Sequence, residues 1–309
     1  MAAGTQAGSQ RDGMNEAETA LPGNRGFSTL RVGAALVTAL HDGTVLRDRP
    51  EGFVHGVPDT EVEAAFAAAG SPPGKFLASF TPLLVRLGGR CILIDSGNGQ
   101  EGPEGTGRLV GNLAALGLSC EAIDTVFISH FHGDHIRGLL RRDGSPTFPG
   151  ARILVPGPEW AFWMAGDAEA QCTGRMPINL KIARDVFGAL GDRVEQVAWG
   201  AEAAPGLTTV ATPGHAPGHT SMRIASEGES LLYMGDVTNN PAIFARHPDW
   251  VAGFDNRPKQ MLETRHRILS EAAESGERVH FFHAAFPGFG TLARDGNGYA
   301  FRPLHGQPE

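Results

Sequence analysis

The strongest chemical signal in the chain is the string Ser129-His130-Phe131-His132-Gly133-Asp134-His135. Three imidazoles and a carboxylate follow directly on the apolar run Val126-Phe127-Ile128. On a loop leaving a buried strand, alternate side chains turn to one side. Imidazole nitrogens and carboxylate oxygens suit zinc and similar divalent ions, and such ions activate water for hydrolysis. Gly133 offers backbone freedom that would let the loop fold back over an ion.

Three later strings add groups of the same kind. Thr212-Pro213-Gly214-His215-Ala216-Pro217-Gly218-His219 sets two Pro-Gly turns around two histidines, either of which could be a ligand. Tyr233-Met234-Gly235-Asp236 ends an apolar strand in a carboxylate. His280-Phe281-Phe282-His283-Ala284 ends another in histidine. His280 and His283 fall on opposite faces of a regular strand, and a loop follows His283. No Ser or Cys has the neighbours that would make it a nucleophile. Cys91, Cys120 and Cys172 are odd in number and far apart, and read as core or half-buried thiols.

Groups aimed in this way need strand ends to carry them. LRVGAALVTALHDG, closing on Asp42-Gly43 before TVL, predicts a hairpin. PDTEVEAAFAAAG predicts a helix capped by Asp59 or Thr60. FTPLLVRLGGRCILIDSG predicts a hairpin bent at Gly88-Gly89, RLVGNLAALGL a short helix stopped by Gly117, and AIDTVFISH and RILVPG two strands. Residues 159 to 190 read as helical, with Trp160, Phe162 and Trp163 as core or pocket wall. RVEQVAW, GLTTVATPG, TSMRIAS and SLLYMGD predict four short antiparallel strands. RPKQMLETRHRILSEAAESG predicts a helix burying Met261, Ile268, Leu269 and Ala272, and ERVHFFHAAFPG a final strand. Two packed sheets flanked by helices satisfy that order.

Residues 1 to 26 are polar and aperiodic and predict a disordered tail, within which Met14 is an alternative start. One domain is expected over 27–304, with a short tail at 305–309. Lys and Arg total 26 against 34 Asp and Glu, a net charge of −8. That balance argues against a protein held mainly by nucleic-acid phosphates. No apolar run is long enough to cross a membrane and no secretory leader is visible, so a cytoplasmic location is expected.

Taken in order, His-x-His-x-Asp-His, a histidine, an aspartate and a last histidine resemble the ligand series of the metallo-β-lactamase superfamily. The resemblance runs over roughly residues 30 to 303. In the strings LIDSG, ISHFHGDHIRG, TPGHAPGHTS, MGDV and HAAFPGFG it is nearest the branch of quorum-quenching lactonases and methyl parathion hydrolase-like enzymes. It implies an α/β fold, a four-layer αβ/βα sandwich of two mixed sheets flanked by helices. It implies His130, His132 and His219 on one metal, Asp134, His135 and His283 on a second, and Asp236 bridging both. Asp95 and His215 would support the ligands from behind, and Asp134 would also orient the nucleophile. Two divalent ions are implied, zinc first, with manganese, iron or cobalt as alternatives. A hydroxide between them would attack a small ester-like substrate: a lactone, aryl ester or phosphotriester.

The lactonases of that branch carry a tyrosine three residues after the bridging aspartate. Asn239 stands there in this chain. An amide donates a hydrogen bond but no phenolic proton, which moves the expectation towards a neutral, partly apolar ester. Phe131, Trp160, Trp163, Asn239, Phe244 and Phe286, with Phe289, are expected to line the cleft. Two alternatives belong to the same superfamily: an RNA-processing nuclease, against which the acidic charge counts, and a β-lactamase, against which the FPG end counts. The expected partner is a small molecule, with no nucleic acid and no membrane; a homodimer is expected by analogy.

Overall fold

The computed structural model describes residues 26–304. Residues 1 to 25 of the expected 1–26 tail, Met14 included, and the expected tail at 305–309 lie outside the described residues. The first half contributes strands β1 (Phe27–Val32), β2 (Ala35–Leu40), β3 (Gly43–Asp48), β4 (Val54–His55), β5 (Lys75–Phe80), β6 (Leu83–Leu87), β7 (Arg90–Ile94), β8 (Thr125–Phe127), β9 (Arg152–Pro156) and β10 (Val194–Val197). The second contributes β11 (Glu202–Ala204), β12 (Leu207–Ala211), β13 (Thr220–Ser226), β14 (Glu229–Gly235), β15 (Val251–Ala252), β16 (Arg278–Phe281), β17 (Phe289–Asp295) and β18 (Gly298–Pro303). The helices are α1 (Asp59–Ala68), α2 (Leu109–Ala115), α3 (Gly133–Ile136), α4 (Gly157–Trp163), α5 (Ala168–Gln171), α6 (Met176–Leu190), α7 (Pro241–Phe244) and α8 (Pro258–Ser275).

Two seven-stranded mixed sheets result, ordered β1-β2-β6-β7-β8-β9-β10 and β11-β12-β13-β14-β16-β17-β18. Strand periodicity of two explains the four layers. Val85, Ile92, Ile94 and Phe127 of the first sheet pack with Met222, Ile224, Leu231 and Tyr233 of the second. Their chain neighbours point outward. Leu84, Leu93 and Val126 meet α2 and α6 through Leu113, Ala183 and Phe187. Leu232, Met234 and Val279 meet α8 through Met261, Ile268, Leu269 and Ala272. Among the described residues, no helix is long and apolar enough to cross a membrane.

Four local expectations are corrected. The first hairpin bends between β1 and β2, and β3 leaves that sheet to pair with β5. Asp42 is a buried hub, not a turn residue; its carboxylate accepts from the backbone N–H groups of Asn98 and Leu109. Helix α1 starts after Pro58 without a side-chain cap, and Asp59 instead accepts from the Gly52 N–H. Strand β10 runs parallel to β9 in the first sheet, because α4 to α6 intervene as a crossover. Finally, β16 is followed by the hairpin β17–β18, whose turn signal Asp295-Gly296-Asn297-Gly298 was readable in the sequence.

Candidate metal centre

Parallel pairing explains why distant residues meet. Strands β7 and β8 are parallel, as are β14 and β16, and the chemistry sits just past their C-terminal ends. Asp95 follows β7, His130 to His135 follow β8, Asp236 follows β14 and His283 follows β16. The Thr212–His219 turn joins β12 to β13 at the same edge. Helix α8 pins that turn: the Arg257 N–H donates to the Gly214 carbonyl and Thr264 Oγ1 to the Pro213 carbonyl. Gly214 has φ +138°, and an added Cβ would lie 2.4 Å from the Met261 backbone. Gly214→Ala is expected to cost about 2–4 kcal/mol through strain and overpacking. A lowered midpoint in chemical denaturation would show it.

Asp236 is the centre of the cluster. Its Oδ2 lies 3.1 Å from His283 Nε2, 3.3 Å from His215 Nε2 and 4.0 Å from His130 Nε2. Its Oδ1 lies 3.4 Å from His135 Nε2. Asp134 Oδ2 lies 3.4 Å from His283 Nε2. The ligating atoms of His130, His132 and His215 fall within 4.8 Å of one another, as do those of His130, His135 and Asp236, and those of Asp134, His135 and His283. Four buried atoms here have no hydrogen-bond partner: Nε2 of His130, His132 and His135, and Oδ1 of Asp236. Unpartnered buried polar atoms are costly and rare, and a divalent cation would satisfy those of His130, His135 and Asp236, which lie together.

Three of the inward rings are fixed through their other nitrogen. His135 Nδ1 donates to Asp95 Oδ2 at 2.7 Å, His215 Nδ1 to Asp255 Oδ1 at 3.1 Å and His283 Nδ1 to the Ser79 carbonyl at 2.8 Å. Asp255 is held in turn by the buried Arg265. Such partners fix the tautomer and leave the facing lone pair for a metal. Asp95, at φ +61°, also accepts from the Ser129 N–H and hydroxyl and from the Tyr233 hydroxyl. Burial, helped by neighbouring histidines, keeps His130 well below its ordinary pKa and His132 at about 3, so both rings stay neutral. Burial opposes protonation of His135 too, but Asp236, Asp95 and Asp134 outweigh it and raise that pKa.

Of the two histidines in the Pro-Gly turn, the structure brings in His215. His215 Nε2 lies 2.9 Å from His132 Nδ1. The ligand role expected for His219 is corrected, because both its nitrogens are engaged elsewhere. Its Nδ1 donates to the Thr212 carbonyl at 3.1 Å and its Nε2 accepts from the Asp236 N–H at 2.9 Å. His219 therefore positions Asp236 and takes the place behind the ligands first assigned to His215, while His215 faces the cluster. His280 is a core residue bonded to the Pro287 carbonyl. Gly133 is helical without a positive φ; the Arg137 guanidinium lies where its Cβ would be.

Glu159 was missed. Fully buried at the start of α4, it accepts from the Phe131 N–H, the Trp163 indole and the Gly218 N–H at 3.0, 2.6 and 2.6 Å. It ties the His130–His132 loop to the His215–His219 turn, and burial lifts its pKa to about 7 against those donors. A Gln there would turn its amide N–H against one of them. Glu159→Gln is expected to weaken metal binding about 10–100-fold, as loss of an outer partner does, with the fold retained. Competition against a chelator would measure it; unchanged affinity would dismiss the clamp.

A cavity of about 530 Å³ opens over the cluster, lined by His132, Asp134, His215, Asp236 and His283. Of the expected lining residues only Asn239 reaches it. Phe131 packs on Phe187 and Trp163 is buried in the same core. Phe244 belongs to a satellite core under Arg265, Phe286 packs on His41, and Phe289 lies between the sheets. Trp160 lines a separate recess with Phe187. Aromatic content alone could not separate wall from core. Arg47, Phe76, Arg137, Arg175, Met176 and Phe254 line the cavity instead.

Comparison with known proteins places the fold in a family. The model of the metallo-beta-lactamase superfamily matches residues 81–283. A hydroxyacylglutathione hydrolase of Aeromonas salmonicida (strain A449) is 28% identical over 190 residues, 60% of this chain and 55% of that relative. The match thus spans little more than half of that enzyme's length. Metallo-beta-lactamase domain-containing protein 1 of Mus musculus is 29% identical over 238 residues, 75% of this chain and 71% of the relative. Among solved structures, the dizinc quorum-quenching lactonase AidC, in complex with a homoserine product, superposes with a TM-score of 0.85 at 24% identity, covering 92% of this chain and 99% of that one. The hydrolase AbOPH of the beta lactamase superfamily gives 0.84 at 27% identity, with the same coverage. The matched segment contains every strand end that feeds the cluster, and the chain belongs to the metallo-β-lactamase superfamily.

Proposed function

We propose that this chain is a binuclear metal-dependent hydrolase of a small ester-like substrate: a lactone, aryl ester or phosphotriester. The observation that carries the proposal is the convergence of unpartnered buried atoms on His130, His135 and Asp236, with His132 Nδ1 and His215 Nε2 beside them, beneath an open cavity. His130, His132 and His215 would hold one ion, Asp134, His135 and His283 a second, with Asp236 between them. Bound divalent ions supply an activated water and an electrophilic contact for the substrate oxygen. An all-nitrogen and oxygen donor set suits zinc, and AidC is a dizinc enzyme.

The chain's own groups have separable tasks. Asp134, the carboxylate of the cluster with 22% side-chain exposure, is placed to orient an attacking water and pass its proton from Oδ2 towards solvent. Asn239 Nδ2 donates to Asp236 Oδ2 at 2.9 Å, which holds the central carboxylate rather than a leaving group. No phenol takes the place of that amide, so the substrate's leaving group must depart with little acid assistance. That favours aryl esters and aryl phosphotriesters over simple alkyl esters.

The test is a substrate panel with metal-loaded protein: lactones, aryl esters, aryl phosphotriesters and a hydroxyacylglutathione thioester, the last because of the Aeromonas relative. Turnover of at least one class, lost on chelation and restored by metal, is expected. Full metal loading with no turnover of any class would overturn the proposal.

A further inference from the structure

The cavity wall carries more positive charge than a neutral substrate needs. Arg47, Arg137 and Arg175 all line it. They come from three separate places: β3, the turn after α3, and the start of α6. Among the described residues, the side chains of Arg137 and Arg175 make no hydrogen bond or ion pair. Arg47 has one partner, the face of Phe80 at 5.6 Å. The carboxylates lining the same cavity are Asp134, Asp236 and Asp255. Each is engaged: Asp134 by His283, Asp236 by His283 and Asn239, Asp255 by His215 and Arg265. Three arginines therefore line the cavity with no carboxylate of the described residues paired to them.

This stands against the charge of the whole chain, which is −8. Away from the cavity, some surface arginines lie beside carboxylates. Arg152, Arg223, Arg246 and Arg278 are all paired in that way. Those around the cavity are not. Beside them stand Phe76, Met176 and Phe254, an apolar surface that would cover a hydrocarbon body. Guanidinium groups recognise carboxylate, sulfonate and phosphate through paired N–H donors.

We infer that the physiological substrate is an amphiphilic anion: an ester-like compound with an apolar body and, apart from the bond cleaved, a permanently charged acidic group held by Arg47, Arg137 and Arg175. The inference rests on the hydrolase reading of this cavity and departs from the neutral substrate expected from the sequence. Arg137 follows the metal-binding loop, its guanidinium against Gly133, and Arg175 opens α6.

Two measurements separate this from the hydrolase reading. The first is binding without chemistry, by calorimetry on the metal-loaded protein. The probes are 4-phenylbutane-1-sulfonate, whose sulfonate is a poor metal ligand, and neutral 4-phenylbutan-1-ol. The sulfonate is expected to bind about tenfold tighter, as charge-assisted contacts exceed neutral ones. The preference should shrink towards parity in Arg137→Gln/Arg175→Gln, and at about 0.5 M salt, where screening shortens the reach of charge. The second is turnover of a phenyl ester of a monocarboxylic acid against the phenyl half-ester of a dicarboxylic acid. The half-ester should have the lower KM, and the double variant should raise that KM with kcat little changed. Equal binding of the two probes, or a preference for the sulfonate that survives the double variant, would overturn the inference. Failure of both esters to turn over while the arginine-dependent sulfonate preference holds would count against the hydrolase reading and leave the anion site in place.

Discussion

Asp236→Ala is expected to lower kcat/KM by at least about a thousandfold, equivalent to about 4 kcal/mol of transition-state stabilisation. The reason is its position. Asp236 is within 4.0 Å of Nε2 of His130, His135, His215 and His283, and so reaches both halves of the cluster. Its removal leaves several neutral or cationic rings facing each other with no anion between them. Metal content per chain, measured after dialysis, should fall with activity. Metal should also stop raising the melting temperature, since stabilisation by a ligand tracks its affinity. Full metal content with unimpaired turnover would remove Asp236 from the centre of the site.

His215→Ala and His219→Ala should part company, and the second expected result is that difference. His215→Ala removes a lone pair aimed at the cluster, 2.9 Å from His132 Nδ1, and should cost one of two bound ions and nearly all activity. His219→Ala removes an acceptor for the Asp236 N–H and a donor to the Thr212 carbonyl. Two ions should still bind, with affinity reduced about 10–100-fold, the usual cost of losing an outer partner. Metal stoichiometry by atomic emission, alongside kcat/KM, reads both. Two ions retained in His215→Ala and one in His219→Ala would restore the assignment made from the sequence and reject the geometry.

The reversal of these two histidines shows where residue order stops being informative. His215 and His219 stand four residues apart in the same type of Pro-Gly turn, and both are buried. Only the docking of the turn against α8 and β14 decides which ring faces the cluster and which faces a backbone N–H. The lining of the cavity was illegible for a related reason. Phe131, Trp163, Phe244 and Phe286 are aromatic residues near the motifs, but each packs on other side chains away from the cavity lining. Arg47, Arg137 and Arg175 carry no local pattern that marks them, because their shared feature is the cavity itself.

Local chemistry was enough for much of the rest. The alternating apolar strands and the helical face of α8 specified two sheets with outer helices, since periodicity of two or of about 3.6 residues is a property of short segments. The donor types in His130 to His135, with Asp236 and His283 after apolar strands, were enough to point to a divalent metal and to hydrolysis. Choice among partners separated by 80 or more residues was not local. It fell to parallel pairing of β7 with β8 and β14 with β16, which gathers four strand ends at one edge. Ring orientation, the Glu159 clamp and the unanswered arginines depend on those long-range contacts and could be decided only by the tertiary structure.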